Sequence, residues 1–228
     1  MPYFAKQGYH CYALSLHGHG GSSSVKAMWR NGIDDYLTDV ETVCAQIMQE
    51  HGCHPILIGH SLGGFITQKY LETHTVPAAV LLASIPHFGA WVFFVRACLR
   101  HPRALLKSIF SLHLSHFVNT PARTRAQFFS PGMPQADVER FTRMIGDEAW
   151  HMVLDVLLLK LPRRAKVNPP VMVMGADNDN VFHPWEIRRL ARAYATDATI
   201  MPNSAHDMML DTHWQAAADE VLGWLEQV

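Results

Sequence analysis

The chain has 228 residues, 49% of them hydrophobic and only 17% charged, with a formal net charge of −1. That balance excludes a mainly disordered chain and a nucleic-acid binder with a basic surplus, and the length provides one large domain or two small ones. No apolar run reaches the roughly 18 residues of a membrane-spanning helix. Four scattered cysteines, Cys11, Cys44, Cys53 and Cys98, contain no C-x-x-C pair and read as buried reduced thiols.

The opening Met1-Pro2-Tyr3-Phe4-Ala5-Lys6 lacks the basic and then apolar pattern of a secretory leader, so a cytoplasmic location is expected if Met1 is the true start. Tyr9 to Leu16 reads as a buried strand ended by the turn His17-Gly18-His19-Gly20-Gly21. Asn31 precedes a helix with Ile33, Tyr36, Leu37, Val40, Cys44 and Ile47 at helical spacing, and Gly52 stops it. Pro55 to Ile58 is a second strand, Leu62 to Glu72 a helix, and Ala79 to Ala83 a third strand. From about His87 to Arg164 only helix patterns occur: Trp91 to Leu99, segments opening with Pro102 and Pro134, and Glu148 to Leu161. Strands resume at Val171 to Met174 and Thr199 to Met201, separated by a helix opened by Pro184. A last helix carries Trp214, Ala218, Val221, Leu222 and Leu225. Short apolar strands alternating with helices predict an α/β fold, with a mostly parallel sheet and helices on both faces. The core is expected over 1–86 and 165–228, with a helical cap inserted at 87–164.

Gly59-His60-Ser61-Leu62-Gly63-Gly64 follows a strand directly and opens a helix, which is the setting a G-x-S-x-G nucleophile elbow requires. Gly59 and Gly63 allow the sharp turn that lifts the Ser61 hydroxyl out of the sheet, and the Leu62 N–H then faces a developing oxyanion. A serine hydroxyl needs a base to take its proton, and the base needs an acid to orient it. Val171 to Met174 ends in Gly175-Ala176-Asp177-Asn178-Asp179, which offers two acids. The strand around Ile200 is followed by Pro202-Asn203-Ser204-Ala205-His206-Asp207, which offers the base. Asp207 is too near His206 in sequence to orient it. The candidates are therefore Ser61, His206, and Asp179 or Asp177.

These segments resemble those of the α/β-hydrolase superfamily, from about Phe4 to Val228. Leu16-His17-Gly18-His19-Gly20-Gly21-Ser22 is similar to a strand-end turn usually written R-G-H-G-x-S, with His17 in place of the arginine. Asp179-Asn180-Val181-Phe182 before Pro184 resembles the acid loop and is the main reason to prefer Asp179. Ser204 to Leu210 resembles the histidine loop. The nearest branch is that of lysophospholipases and monoacylglycerol lipases. The resemblance implies a cofactor-free serine hydrolase that acts on esters, with the inserted helices capping the site.

The sequence departs from the superfamily at its start. Members normally begin with strands ahead of Tyr9 to Leu16, and the last of these ends in an H-G turn that supplies a second oxyanion N–H. In the family's strand order that strand lies between the Tyr9 and Pro55 strands. The expectation is that roughly 40 to 60 residues of a mid-sized domain are lacking here. The alternative is a truncated, inactive homologue in which the two strands pair directly.

Other readings keep the fold and change the chemistry: thioesterase, acyltransferase, amidase or cofactor-free peroxidase. A non-catalytic binding module is the reading from a different class. A metal site on His17-x-His19 with His60 or His87 is disfavoured, because no carboxylate sits beside them at ligand spacing. Trp91-Val92-Phe93-Phe94-Val95, Phe128, Phe129 and Val156 to Leu159 give the helical block an apolar character suited to an acyl chain. Arg96, Arg100, His101, Arg103 and Lys107 follow the first of these runs, so peripheral contact of the cap with an anionic lipid surface is also expected.

Overall fold

The computed structural model describes residues 1–22, 30–111, 114–163 and 169–228. Its centre is a parallel sheet of four strands in chain order: β1 (Leu57–His60), β2 (Ala79–Leu82), β3 (Val171–Ala176) and β4 (Ala198–Met201). Leu57 lies opposite Ala79, Ala79 opposite Val171, and Val173 opposite Ala198.

Both faces of the central strands are buried, which is why they read as unbroken apolar runs. Ala79, Leu81, Val171 and Val173 point to one face and pack with α2 (Ile33–His51), α3 (Leu62–Tyr70) and α9 (Pro184–Ala193). The alternate residues Val80, Met172 and Met174 point to the other face, where Phe4 of α1 (Pro2–Lys6) and Ala217 and Val221 of α10 (Trp214–Leu225) cover them. The period of two along each strand thus separates two cores.

Helix α2 buries Ile33, Tyr36, Val40, Cys44 and Ile47 along a single stripe. Its first turn carries Asp34 and Asp35, and the buried Asp155 carboxylate accepts a 2.9 Å hydrogen bond from the Ile33 N–H. Negative charge there suits the helix dipole and satisfies an otherwise orphaned donor. Gly52, at φ 70°, ends α2 in the left-handed region, and its N–H donates to the Met48 carbonyl.

Between β2 and β3 the described residues form helices: α4 (Trp91–Arg100), α5 (Pro102–Ser111), a 3-10 turn (Leu114–Phe117), α6 (Pro121–Phe128), α7 (Gln135–Met144) and α8 (Trp150–Leu154). A π-helical turn, Asp155–Leu159, continues α8. The expected boundary at 164/165 lies outside the described residues. All four cysteines are free, but the expectation that they are buried holds for Cys44 alone: Cys11 and Cys98 are half-buried and Cys53 is exposed. No helix among the described residues is long and apolar enough to cross a membrane.

Three expectations need correction. Tyr9 to Leu16 forms no strand: it joins no ladder, and Tyr12 and Leu14 are exposed. An extended segment becomes a strand only when a neighbour accepts its hydrogen bonds, and none of the described strands pairs with it. Direct pairing of this segment with β1 is also not seen, since among the described residues β1 pairs with β2 alone. The second strand itself runs Leu57–His60, two residues later than Pro55 to Ile58.

Candidate active site

β1 ends at His60 and α3 begins at Leu62, so Ser61 alone makes the turn between them, at φ 50° and ψ −113°. A non-glycine residue there is strained and persists only where its surroundings over-determine it. The surroundings do so. The Ser61 N–H donates to the Leu82 carbonyl at 3.0 Å, and the Ser61 carbonyl accepts from the N–H groups of Ile85 and Phe65. A Cβ on Gly59 would run into the Gly63 carbonyl and the Thr67 hydroxyl, and one on Gly64 into the Ser84 side chain. Gly63 itself has open space around it. The tight pair is therefore Gly59 and Gly64, not Gly59 and Gly63. Leu62 is the first residue of α3, where the backbone N–H has no intrahelical acceptor.

The acid loop leaves the end of β3. Asp179 is 2% exposed, and its Oδ1 accepts hydrogen bonds from the N–H groups of Val181 (2.7 Å) and Phe182 (2.9 Å). Those bonds fix the carboxylate so that Oδ2 sits 2.9 Å from His206 Nδ1. Asp177 is placed elsewhere. Its carboxylate accepts from the Asn178 amide and, at 3.3 Å, from the Ser204 N–H, tying the acid loop to the base loop.

His206 is 2% exposed, and its Nε2 lies 3.0 Å from Ser61 Oγ. With Nδ1 facing a carboxylate, the ring carries its proton on Nδ1 and offers a lone pair to the Ser61 hydroxyl. Burial pulls the His206 pKa down, but the charge and hydrogen bond of Asp179 outweigh it, so the net shift is upward. The ring packs among Phe128, Phe182 and His60, with centroids 5.8, 5.6 and 4.8 Å away. The structure thus brings Ser61, His206 and Asp179 into one hydrogen-bonded run at the carboxyl end of the sheet, next to the Leu62 N–H.

The loop bearing His206 is tied to the helical segment as well. The Asp207 N–H donates to the Phe128 carbonyl at 2.9 Å, and the buried Asp211 carboxylate accepts from both the N–H and the hydroxyl of Ser130. Asn180, in the acid loop, donates to the Ala126 carbonyl. Residues 126–130 therefore touch both of these loops, a link the sequence did not announce. Another unforeseen element is Arg96. Expected to face a lipid surface, it turns inward, donating to the Val181 carbonyl and pairing with the buried Glu186 at 2.9 Å. A buried carboxylate without a cation would be costly, and Arg96 is the cation that reaches it.

His17 pairs with Asp39, and His19 with Glu148 at 2.8 Å and with the Tyr36 hydroxyl. Among the described residues the one group of three metal-type ligands is His60, His206 and Asp207. Both ring nitrogens of His206 already face Asp179 and Ser61. Two surface cavities, one of about 300 Å³ beside His87, Arg189 and Tyr194 and one of about 380 Å³ beside Leu106 and Phe110, are lined by neither Ser61 nor His206.

A pH dependence follows from the raised His206 pKa, because only the neutral ring accepts the Ser61 proton. The rate of covalent capture at Ser61 is expected to rise with pH through a midpoint above the ordinary imidazole value of about 6.5. A pH-rate profile with a fluorophosphonate probe checks this, and a midpoint at or below that value counts against the Asp179–His206 coupling.

Comparison with known proteins agrees with this architecture. The protein family described as Serine aminopeptidase, S33, matches residues 1–213. A methylesterase from Arabidopsis superposes with a TM-score of 0.72 at 15% identity, covering 100% of this chain and 91% of that one. A monoacylglycerol lipase from Paleococcus ferrophilus gives 0.61 at 19% identity, covering 91% and 79%. A bromoperoxidase from Bacillus anthracis gives 0.62 at 15% identity, covering 91% and 78%. At such identities the superpositions establish a shared fold and leave chemistry to the site.

Proposed function

The chain belongs to the family of α/β hydrolases described as Serine aminopeptidase, S33, and on that premise we propose that it is a serine hydrolase cleaving carboxylic esters through Ser61, His206 and Asp179. The observation that supports this most is the unbroken run from the Asp179 carboxylate through both ring nitrogens of His206 to the Ser61 hydroxyl. In this reading Ser61 Oγ attacks the ester carbonyl carbon while its proton passes to His206 Nε2. The Leu62 N–H stabilises the resulting oxyanion. Collapse of that intermediate expels the alcohol, which takes the proton from His206 and leaves an acyl-enzyme at Ser61. Water then attacks the acyl carbon, giving a proton to His206; the bond from that carbon to Ser61 Oγ breaks, Oγ takes the proton back from His206, and the acid is released. Asp179 holds the ring and stabilises the imidazolium.

The substrate is read as an acyl or lipid-like ester. Residues 87–164 serve as the cap, with Phe128 against His206 at the reacting end. The cap presents large apolar side chains outward: Leu99 is 79% exposed and Phe110 86%. Arg100, Arg103 and Lys107 lie along the same helices, so this face suits peripheral contact with an anionic lipid surface.

A p-nitrophenyl ester series from acetate to long acyl chains tests the assignment. The specificity constant is expected to rise with acyl length before levelling, since each buried methylene contributes up to about 0.8 kcal/mol. A flat profile or a preference for acetate removes the lipid-ester reading. An aminoacyl p-nitroanilide in the same assay tests the amide chemistry named in the family description.

A further inference from the structure

We infer that His60, the residue immediately before Ser61, is a positioning residue that keeps the base in register with the nucleophile; the inference rests on the serine-hydrolase reading above. His206 stands on an irregular loop, residues 202–213, with no regular structure of its own to hold it. Two sets of ties anchor that loop. One runs to the acid loop, where the Asn178 N–H donates to the Ser204 carbonyl and the Ser204 N–H to Asp177. The other runs to the helical segment, through the Phe128 carbonyl and Ser130. Neither set refers the loop to the strand that carries the nucleophile.

His60 does. It is the last residue of β1, and its Nε2–H donates to the main-chain carbonyl of His206 itself at 3.0 Å. Among the described residues this is the hydrogen bond joining the base loop to β1, apart from the Ser61–His206 contact that it serves. The two imidazoles lie 4.8 Å apart at 56°, so the His60 ring also limits the swing of the His206 ring. The Asp207 carboxylate, 3.6 Å from the same Nε2, lies beyond hydrogen-bond distance.

An imidazole suits this place because it donates without charge. Burial and the neighbouring His206 push the His60 pKa well below the ordinary imidazole value. A cationic group here would oppose the imidazolium that forms on His206 during attack. The neutral ring, with its single proton fixed on Nε2 by the carbonyl, holds the loop at no such electrostatic cost. Displacements of about 1 Å between reacting groups cost rates of order a hundredfold, so a tie of this kind acts on the reacting geometry more than on substrate binding.

The test compares His60→Phe, which keeps a ring and loses the donor, with His60→Gln, whose amide N–H restores a donor at similar reach. His60→Phe is expected to slow fluorophosphonate capture and to lower kcat by about 10- to 100-fold, with KM changed less than about twofold. His60→Gln is expected to recover most of the loss. Equal rates in the unaltered protein and His60→Phe, or equal losses in the two variants, overturn the inference. Ring ¹⁵N spectra of the unaltered protein test it without any variant: a neutral His60 with its proton on Nε2 at pH 7 supports it, and an Nδ1–H tautomer or an imidazolium overturns it. If the unaltered protein takes no label at Ser61, the serine-hydrolase reading fails and this inference with it. Labelling that His60→Phe leaves untouched overturns the inference alone.

Discussion

Ser61→Ala is expected to lower ester turnover by about a millionfold and to abolish covalent capture by a fluorophosphonate. The size of the loss reflects how the three residues work. Without Oγ, neither the lone pair of His206 nor the orientation supplied by Asp179 has anything to act upon, so removing Ser61 costs nearly as much as removing all three. The fold should tolerate the change, because the Ser61 backbone makes the hydrogen bonds with Leu82, Ile85 and Phe65 that shape the turn, and its hydroxyl, among the described residues, hydrogen-bonds to His206. Intact-mass analysis after labelling reads the result directly. Label that persists in Ser61→Ala would sink the assignment of the nucleophile.

Asp179→Asn is expected to cost about four powers of ten in kcat. The amide is nearly the same shape as the carboxylate, but its NH2 group faced toward His206 would favour the wrong tautomer of the ring. Oδ1 would go on accepting from Val181 and Phe182, so the loop should hold its form. Asp177→Asn leaves an oxygen able to accept from Ser204 and should cost less than about tenfold, a loss of one charge-assisted hydrogen bond. Steady-state kinetics of the two variants, with melting temperatures to match, decide between the acids. The reverse ranking would move the acid to Asp177.

The features legible in the sequence were those whose cause is local. Val171 to Met174 is buried on both sides and could only be apolar, and the strand appears there, extended to Ala176. Gly52 and Pro184 mark helix ends by their backbone geometry, and they do so here. The distance in sequence between Asp179 and His206 left room for one helix and one strand, and the fold closes that distance to 2.9 Å. What escaped was set by partners far away in sequence. Tyr9 to Leu16 has strand composition without a strand neighbour. Glu148 to Leu161 read as one helix, yet the Val156 carbonyl is drawn out to the Ala90 N–H, and the ladder widens into a π turn at Asp155–Leu159. Arg96 looked like a surface cation until Glu186 gave it a buried partner. Helix α6 was missed although Thr120-Pro121 marks its start, and the Thr120 hydroxyl caps it.

Among the described residues β1 is paired on one side only, and its other edge is shaped to accept a strand. Leu57 and Ser61 donate their N–H groups inward, to Ala78 and Leu82, so the pleat turns those of Ile58 and His60 to the outer edge. Ile58 is nearly half exposed there, and the four residues of the strand include neither a proline nor a carboxylate, lysine or arginine. Natural sheets blunt such edges with charge, bulges or prolines, because an open edge templates the strand of another molecule. Here the template is the strand that delivers the nucleophile. A strand laid along that edge, whatever its source, would bear on the same short stretch of main chain that sets the pitch of Ser61.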